Sequence, residues 1–256
     1  MKIIGHRGAP ALELENTIAS CKAAIKLGVD RIEVDVHATK DGQYVAVHDD
    51  NIARIGGPAK RVSELTYEEL QKISLHKGER IPLLREVLEA TGDTPVYVEI
   101  KIRGHSEDIC KILDNFPKRK FWIGSFDHDV VLECQELRPN LPVAFATNIH
   151  PFKTIRKAKK AGAYGITLYY IYLPLVYASA RKAGLKVMVF PLGTSWLLIR
   201  LSHLFPRIHK STYATRVLER RNPNPWDSKL AAKLYKKFYP EVLLCTDHPE
   251  RWAKTR

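Results

Sequence analysis

This 256-residue chain is poor in cysteine and methionine, with four and two, and short of acid relative to base, with 28 Asp and Glu against 41 Lys and Arg. Cys21, Cys110, Cys134 and Cys245 stand far apart with no Cys-x-x-Cys pair. That spacing argues against a zinc ribbon or a disulfide-stapled scaffold and predicts free, buried thiols in a reducing compartment. A secretory leader is not expected either. MKIIGHRG has only Ile3 and Ile4 between Lys2 and Gly5, far short of a signal-peptide core, so the expected location is the cytoplasm. No hydrophobic run suits a membrane span. The uncharged stretch from Ala161 to Ala180 comes nearest, but Gly162, Gly165, Pro174 and a change from strand-like to helix-like period read as a buried strand followed by a helix. The shortage of acid leaves a net charge of +13, which favours anionic partners: phosphate esters, a membrane surface or nucleic acid.

The most informative stretch is Arg31 to Asp49, RIEVDVHATKDGQYVAVHD. Strand alternation puts Glu33, Asp35 and His37 on one face and Ile32, Val34 and Val36 on the other. Gly42 then supplies a tight turn, and Tyr44 to Val47 returns an imidazole, His48, toward the carboxylates. Buried acids side by side repel one another, so a shared face implies a cation between them. An all-oxygen ligand set suits Mg²⁺, Ca²⁺ or Mn²⁺ better than Zn²⁺.

Around that hairpin the chain alternates between strand and helix patterns. Strands are expected at Lys2 to Ile4, Arg31 onward, Val96 to Lys101, Phe121 to Ser125, Val143 to Thr147, Tyr164 to Tyr169, Lys186 to Phe190 and Glu241 to Thr246. Helices are expected at Ile18 to Leu27, capped by Asn16 or Thr17, around Leu65, Leu70 and Ile73, and at Leu84 to Ala90. Further helices follow at Ser106 to Phe116, Asp129 to Leu137, Phe152 to Ala161, Leu175 to Ala183, and from Ser195. Between His48 and the helix at Leu65 the chain reads as a polar connection. Eight such units in this length predict an α/β protein, a (β/α)₈ TIM barrel forming a single domain over residues 1–256. The basic segment at about 206–227 reads as an insertion between strands seven and eight. In such a barrel the strand C-termini carry the chemistry, and His6, Arg7, Glu33, Asp35, Glu99, Lys101 and Asp247 fall there.

Taken together, His6-Arg7-Gly8, Glu15-Asn16-Thr17, Glu33-x-Asp35, Thr39-Lys40-Asp41-Gly42, His48-Asp49, Ile81-Pro82, Glu99-Ile100-Lys101 and Thr246-Asp247-His248-Pro249 resemble the ordered motifs of the glycerophosphodiester phosphodiesterase family. The resemblance implies a barrel enzyme that uses one divalent cation to hydrolyse glycerophosphodiesters to an alcohol and glycerol 3-phosphate. It implies Glu33, Asp35 and Glu99 as metal ligands, His6 and His48 as general acid and base, and Arg7 and Lys101 as phosphate-binding residues. Glu15, Asn16 and Phe190 become candidates for the substrate pocket; His37 has no role in the family pattern, but strand alternation sets it on the face of Glu33 and Asp35 as a candidate for a supporting position. One departure stands out. Where many relatives carry Trp-Thr-x-Asn, with the aromatic packing on glycerol, this chain has Phe190-Pro191-Leu192-Gly193.

Two other readings are open. SWLLIRLSHLF, residues 195–205, followed by the basic run to Arg221, has the makings of a lipid-facing lid, with membrane-surface contact through 196–221 and lysophospholipase D-type chemistry at the same site. A non-catalytic phosphate or nucleic-acid binder is the other. Such a binder should interleave aromatics with Lys and Arg along one strip, a pattern only weakly present from Tyr213 to Trp226, so no nucleic-acid partner is expected.

Overall fold

The computed structural model describes residues 1–190 and 229–253. Among these, eight parallel strands close into a barrel: β1 (Lys2–Gly5), β2 (Arg31–Ala38), β4 (Val96–Ile100), β5 (Phe121–Ser125), β6 (Val143–Thr147), β7 (Gly165–Tyr169), β8 (Lys186–Phe190) and β9 (Leu243–Thr246). Each pairs with the next, β9 pairs with β1, and the β1–β2 pairing completes the ring. The short β3 (Tyr44–Ala46) lies outside it, antiparallel to the end of β2. The fold is the expected TIM barrel.

Alternation along each strand divides the core. Val34, Val36, Val98 and Ile100 belong to the large apolar cluster shared with the surrounding helices. Ile4, Tyr97, Trp122, Ala144, Met188, Leu243 and Cys245 pack with one another as a separate cluster inside the barrel. The register between β2 and β4 sets Asp35 directly beside Glu99. Two carboxylates thereby become neighbours on a face that the interior cluster supports from below.

The helix α1 (Ile18–Lys26) is capped by Thr17, whose hydroxyl accepts from the Ser20 N–H. That leaves Asn16 for another task. The polar connection after His48 is corrected by the structure, since Val45, Val47, Ile52, Ile55, Val62, Leu65, Leu70, Leu75 and Ile81 form a small core of their own. Their spacing follows neither the helical nor the strand period because the backbone between them is short 3₁₀ turns. The helix expected around Leu65 is Tyr67–Gln71, and it begins only after Thr66 and Glu69 form a capping box. Other element ends shift by one to three residues, as when β9 starts at Leu243 because Pro240 and Glu241 still belong to the turn. Two helices, Lys229–Phe238 and Pro249–Ala253, were not anticipated, although Leu234, Tyr235 and Phe238 keep helical spacing. The insertion at 206–227, the segment 195–205 and Pro191-Leu192-Gly193 lie outside the described residues.

Candidate active site

The turn after β1 brings the first pieces together. Gly5 is required there because a side chain would meet the Gly8 carbonyl, and Gly8 because its φ is +90° and a Cβ would strike Ser20. Between them Arg7 takes the left-handed conformation, φ 55°, as does Asn16, φ 57°. Strained backbone of this kind persists where its surroundings fix it. Ser20 donates to the Arg7 carbonyl, the Asn16 N–H donates to that same carbonyl, and the Arg7 N–H donates to Glu33 Oε2 at 2.7 Å. His6 is held through its own N–H, which donates to the Thr246 carbonyl at the end of β9.

Glu33, Asp35 and Glu99 are all buried, and they offer carboxylate oxygens that lie within 4.8 Å of one another. Glu33 Oε1 is enclosed with no hydrogen-bond partner. Burial, and then the proximity of Asp35 and Glu99, pushes the Glu33 carboxyl well above its usual range. A lone pair buried without a donor, among three converging acids, fits a hard divalent cation, so these residues could hold one. Glu33 also lies near His6 and Cys245, but a thiol is a poorer partner for such an ion.

Two cations stand around the trio. Lys101 Nζ is 2.9 Å from Asp35 Oδ1 and also contacts Glu99, while Arg7 Nε is 3.1 Å from Asp35 Oδ2 without hydrogen-bond geometry. Burial alone would raise the Asp35 carboxyl, yet Lys101, His48 and Arg7 together hold it far below the ordinary carboxylate range. Asn16 adds to this by donating Nδ2–H to Asp35 Oδ2 and accepting the Asp35 N–H.

Each candidate imidazole carries a carboxylate. His6 Nδ1 is 2.6 Å from Asp247, 241 residues away in the chain, and His48 Nδ1 is 2.6 Å from its neighbour Asp49. Such a bond fixes the ring and leaves Nε2 as the free nitrogen. Burial and then Arg7 hold the His48 pKa below the usual histidine value. His37 does not reach the carboxylates as a ligand; its Nε2 lies 3.2 Å from the His48 carbonyl, which ties the β2 face to the backbone of the second imidazole.

Sequence reasoning missed Arg54. It grips both oxygens of Glu15 at 2.7 Å and contacts Asp49, so Arg7, Glu15, Arg54, Asp49 and His48 form one continuous chain that runs from the buried Arg7 and Glu15 to the half-buried Asp49 and His48. Glu15 therefore has both oxygens committed to arginines. No pattern signalled this, because residues 15 and 54 meet only through the fold; the available hint was a cation five residues beyond His48-Asp49. Phe190, at the end of β8, packs against Tyr169, ring centres 4.4 Å apart, and Phe126, 6.0 Å, and Lys101 Nζ lies over the Phe126 ring. The aromatic wall thus faces the charged cluster across the mouth.

A parallel barrel whose strand ends carry three converging carboxylates, two imidazole–carboxylate pairs, a lysine and an arginine defines a phosphodiester hydrolase. The comparisons make the assignment narrower. The model of the glycerophosphoryl diester phosphodiesterase family matches residues 6–195, and the chain belongs to that family. It is 32% identical over 202 residues to the glycerophosphodiester phosphodiesterase of Caldanaerobacter subterraneus subsp. tengcongensis, covering 72% of this chain and 83% of that one. The human protein named lysophospholipase D GDPD1 is 31% identical over 184 residues, which are 61% of this chain and 59% of that one. Among solved structures, the Thermotoga maritima glycerophosphodiester phosphodiesterase is 25% identical, with a TM-score of 0.72 over 100% of this chain and 98% of that one. An Oleispira antarctica phosphodiesterase, solved with its product sn-glycerol-3-phosphate, superimposes with a TM-score of 0.77 at 20% identity, covering 100% of this chain and 97% of that one.

Proposed function

We propose that this enzyme hydrolyses glycerophosphodiesters to an alcohol and glycerol 3-phosphate at the mouth defined by His6, Arg7, Glu33, Asp35, His48, Glu99 and Lys101. The observation that carries the reading is the buried carboxylate trio, with its unpartnered Glu33 oxygen, set between two carboxylate-anchored imidazoles. Glu33, Asp35 and Glu99 would hold a Mg²⁺, Ca²⁺ or Mn²⁺ ion, which when bound would polarise a phosphoryl oxygen and offset developing charge. Arg7 offers a planar fork and Lys101 a point charge to the phosphate oxygens. His48, whose neutral form is favoured by burial, fits the base that takes a proton from the attacking oxygen, and His6 the acid that returns one to the departing alkoxide. Asp247 and Asp49 orient the two rings so that Nε2 faces the reaction. Asn16 and Glu15 support Asp35 and Arg7, while Phe190 offers an apolar face to the substrate.

A second reading, hydrolysis of lysophospholipids at the same site, is favoured by the similarity to the human lysophospholipase D and by a net charge of +13, which suits an anionic membrane surface. The four buried free thiols fit a cytoplasmic location; among the described residues no helix is long and apolar enough to cross a membrane. A panel of glycerophosphocholine, glycerophosphoethanolamine, glycerophosphoglycerol and lysophosphatidylcholine, each with Mg²⁺, Mn²⁺ or Ca²⁺, tests both. Turnover of the first three with release of glycerol 3-phosphate is expected. Release of an intact phosphomonoester from none of the four, under any cation, would overturn the proposal.

A further inference from the structure

Exposed apolar side chains gather on one sector of the catalytic face. Ile149 is 59% exposed in the connection after β6 and Phe152 40% exposed in the first turn of the helix Pro151–Lys160 that follows; Ile171 is 46% exposed in the turn after β7 and Leu175 62% exposed in the first turn of the helix Leu173–Lys182. In a parallel barrel these two connections sit at the strand C-termini, beside the mouth. They are joined physically, because the Tyr172 hydroxyl donates to the Asn148 carbonyl at 3.1 Å, which sets the Ile149 and Ile171 turns side by side. Four large apolar groups standing free at adjacent turns are too many for scattered surface residues and mark a contact surface. The helix behind them supplies the second half of the pattern. Its exposed face carries Lys153 and Arg156, and the whole helix contains no acid.

Apolar residues at a rim, with cations one turn behind, match a lipid–water interface: the apolar groups enter the acyl boundary while the cations meet anionic headgroups. A protein partner would need complementary acid at that position and gives no reason for the patch to border the mouth. Resting on the lysophospholipid reading of the site, we infer that the β6 and β7 turns, through Ile149, Phe152, Ile171 and Leu175, dock the barrel mouth onto an anionic lipid surface, so that an acylated substrate enters from the membrane plane.

The test compares the wild-type chain with Ile149→Ser/Ile171→Ser, Phe152→Ser/Leu175→Ser and Lys153→Glu/Arg156→Glu, using vesicles of phosphatidylglycerol and phosphatidylcholine. All substituted positions are exposed, and thermal melts identify any variant that fails to fold. Wild type should co-sediment with the vesicles, less so as salt rises. Each apolar pair should weaken binding by about tenfold or more, and the charge reversal should abolish the salt dependence. Hydrolysis of soluble glycerophosphocholine should stay within about twofold in all three, while hydrolysis of vesicle-borne lysophosphatidylcholine falls with binding. Absence of wild-type vesicle binding, or equal binding by wild type and the serine variants, overturns the docking surface. So does a wild-type dimer that the serine pairs convert to monomers without loss of vesicle binding, since a second copy would then be the occupant. Binding that is lost in the variants, with no wild-type turnover of lysophosphatidylcholine, keeps the surface and rejects the acylated substrate, so the two failures are distinguishable.

Discussion

The two halves of the barrel mouth are built on opposite principles. The half formed by β1, β2 and β4 crowds Arg7, Glu33, Asp35, Glu99 and Lys101 onto three strand ends, with Asp35 and Glu99 answered by Lys101 and Arg7 while Glu33 is met only by the Arg7 backbone N–H. The half formed by β5, β6 and β7 has no charged residue in any strand; it offers Gly124, Ala144, Ala146 and Thr167 and ends in aromatic and aliphatic groups. Charge is expensive to bury unless it is paired, so a fold that needs several buried charges gains by letting them compensate one another on one side. The bare side is then left to shape. If the division is real, substitutions in the first half should act on chemistry and those in the second on packing and access.

The largest effects belong to the carboxylates. Glu33→Gln, Asp35→Asn and Glu99→Gln should each lower cation-dependent turnover by roughly a thousandfold or more, the worth of several kcal/mol of charge stabilisation. Their stabilities in chelator should differ in sign. Glu33 has an unpartnered oxygen and two acid neighbours, so glutamine removes repulsion and should raise Tm. Asp35 is the anion that Lys101 and Arg7 share, so asparagine leaves buried cations under-compensated and should cost roughly 3–5 kcal/mol. The Glu33 effect also has a pH sign. Because the fold raises this pKa above its unfolded value near ~4.3, wild type without metal loses stability as pH rises from there through the folded value, and the advantage of Glu33→Gln should grow with it. Melting curves at several pH values check this, and a Tm gain for Asp35→Asn would break the account of paired charge.

Next come the imidazoles and the carboxylates behind them. His6→Ala and His48→Ala should each lower kcat by roughly 10² to 10⁴ with little change in metal-dependent stabilisation. Asp247→Asn and Asp49→Asn should cost no more than their histidines. The two pairs should then part company. Asp247 reaches His6 from the far end of the chain, whereas Asp49 is clamped in turn by Arg54, itself held by Glu15. Arg54→Met should therefore reduce kcat through His48 and shift the acidic limb of the pH profile, where the base becomes protonated, while leaving a His48→Ala background almost unaffected. Steady-state kinetics on the single and double variants decide this, and additive losses would show that Arg54 acts elsewhere.

How much of this was legible beforehand follows the same division. Period-two alternation exposed Glu33 and Asp35, Glu99 and Lys101 repeated it, and the eight βα units gave the barrel, because these are local patterns that the fold merely aligns. Arg54 was not legible, since nothing local distinguishes an arginine in a 3₁₀ turn from a solvated one until Glu15 arrives beneath it. The core at Val45 to Ile81 was missed for a related reason: its apolar residues are spaced by irregular turns, and periodicity is the only signal that sequence inspection offers there. Asn16 shows a third case, in which a cap and a site residue compete for one position. The positive φ at Asn16 settles it by turning the side chain toward Asp35 and passing the cap to Thr17.

The smallest expected effect probes the floor where the two halves meet. Tyr97, on β4, sends its hydroxyl across the barrel to Thr167 Oγ1 on β7 at 3.1 Å, beneath the charged cluster and fully enclosed. Room for it exists only because residue 124 is glycine, where any Cβ would collide with the phenol. Tyr97→Phe strands the threonine hydroxyl and Thr167→Val strands the phenol, so each should cost about 1–3 kcal/mol, or several degrees of Tm in a chain of this size. The double variant leaves no buried hydroxyl unpaired and should recover most of that loss, giving a coupling energy on the order of 1 kcal/mol. Turnover of glycerophosphocholine should remain within about twofold throughout. If instead the double variant lost activity while keeping its Tm, the hydroxyl pair would be shaping the carboxylate site from below, and the division between a chemical and a packing half would have to be redrawn through the barrel floor.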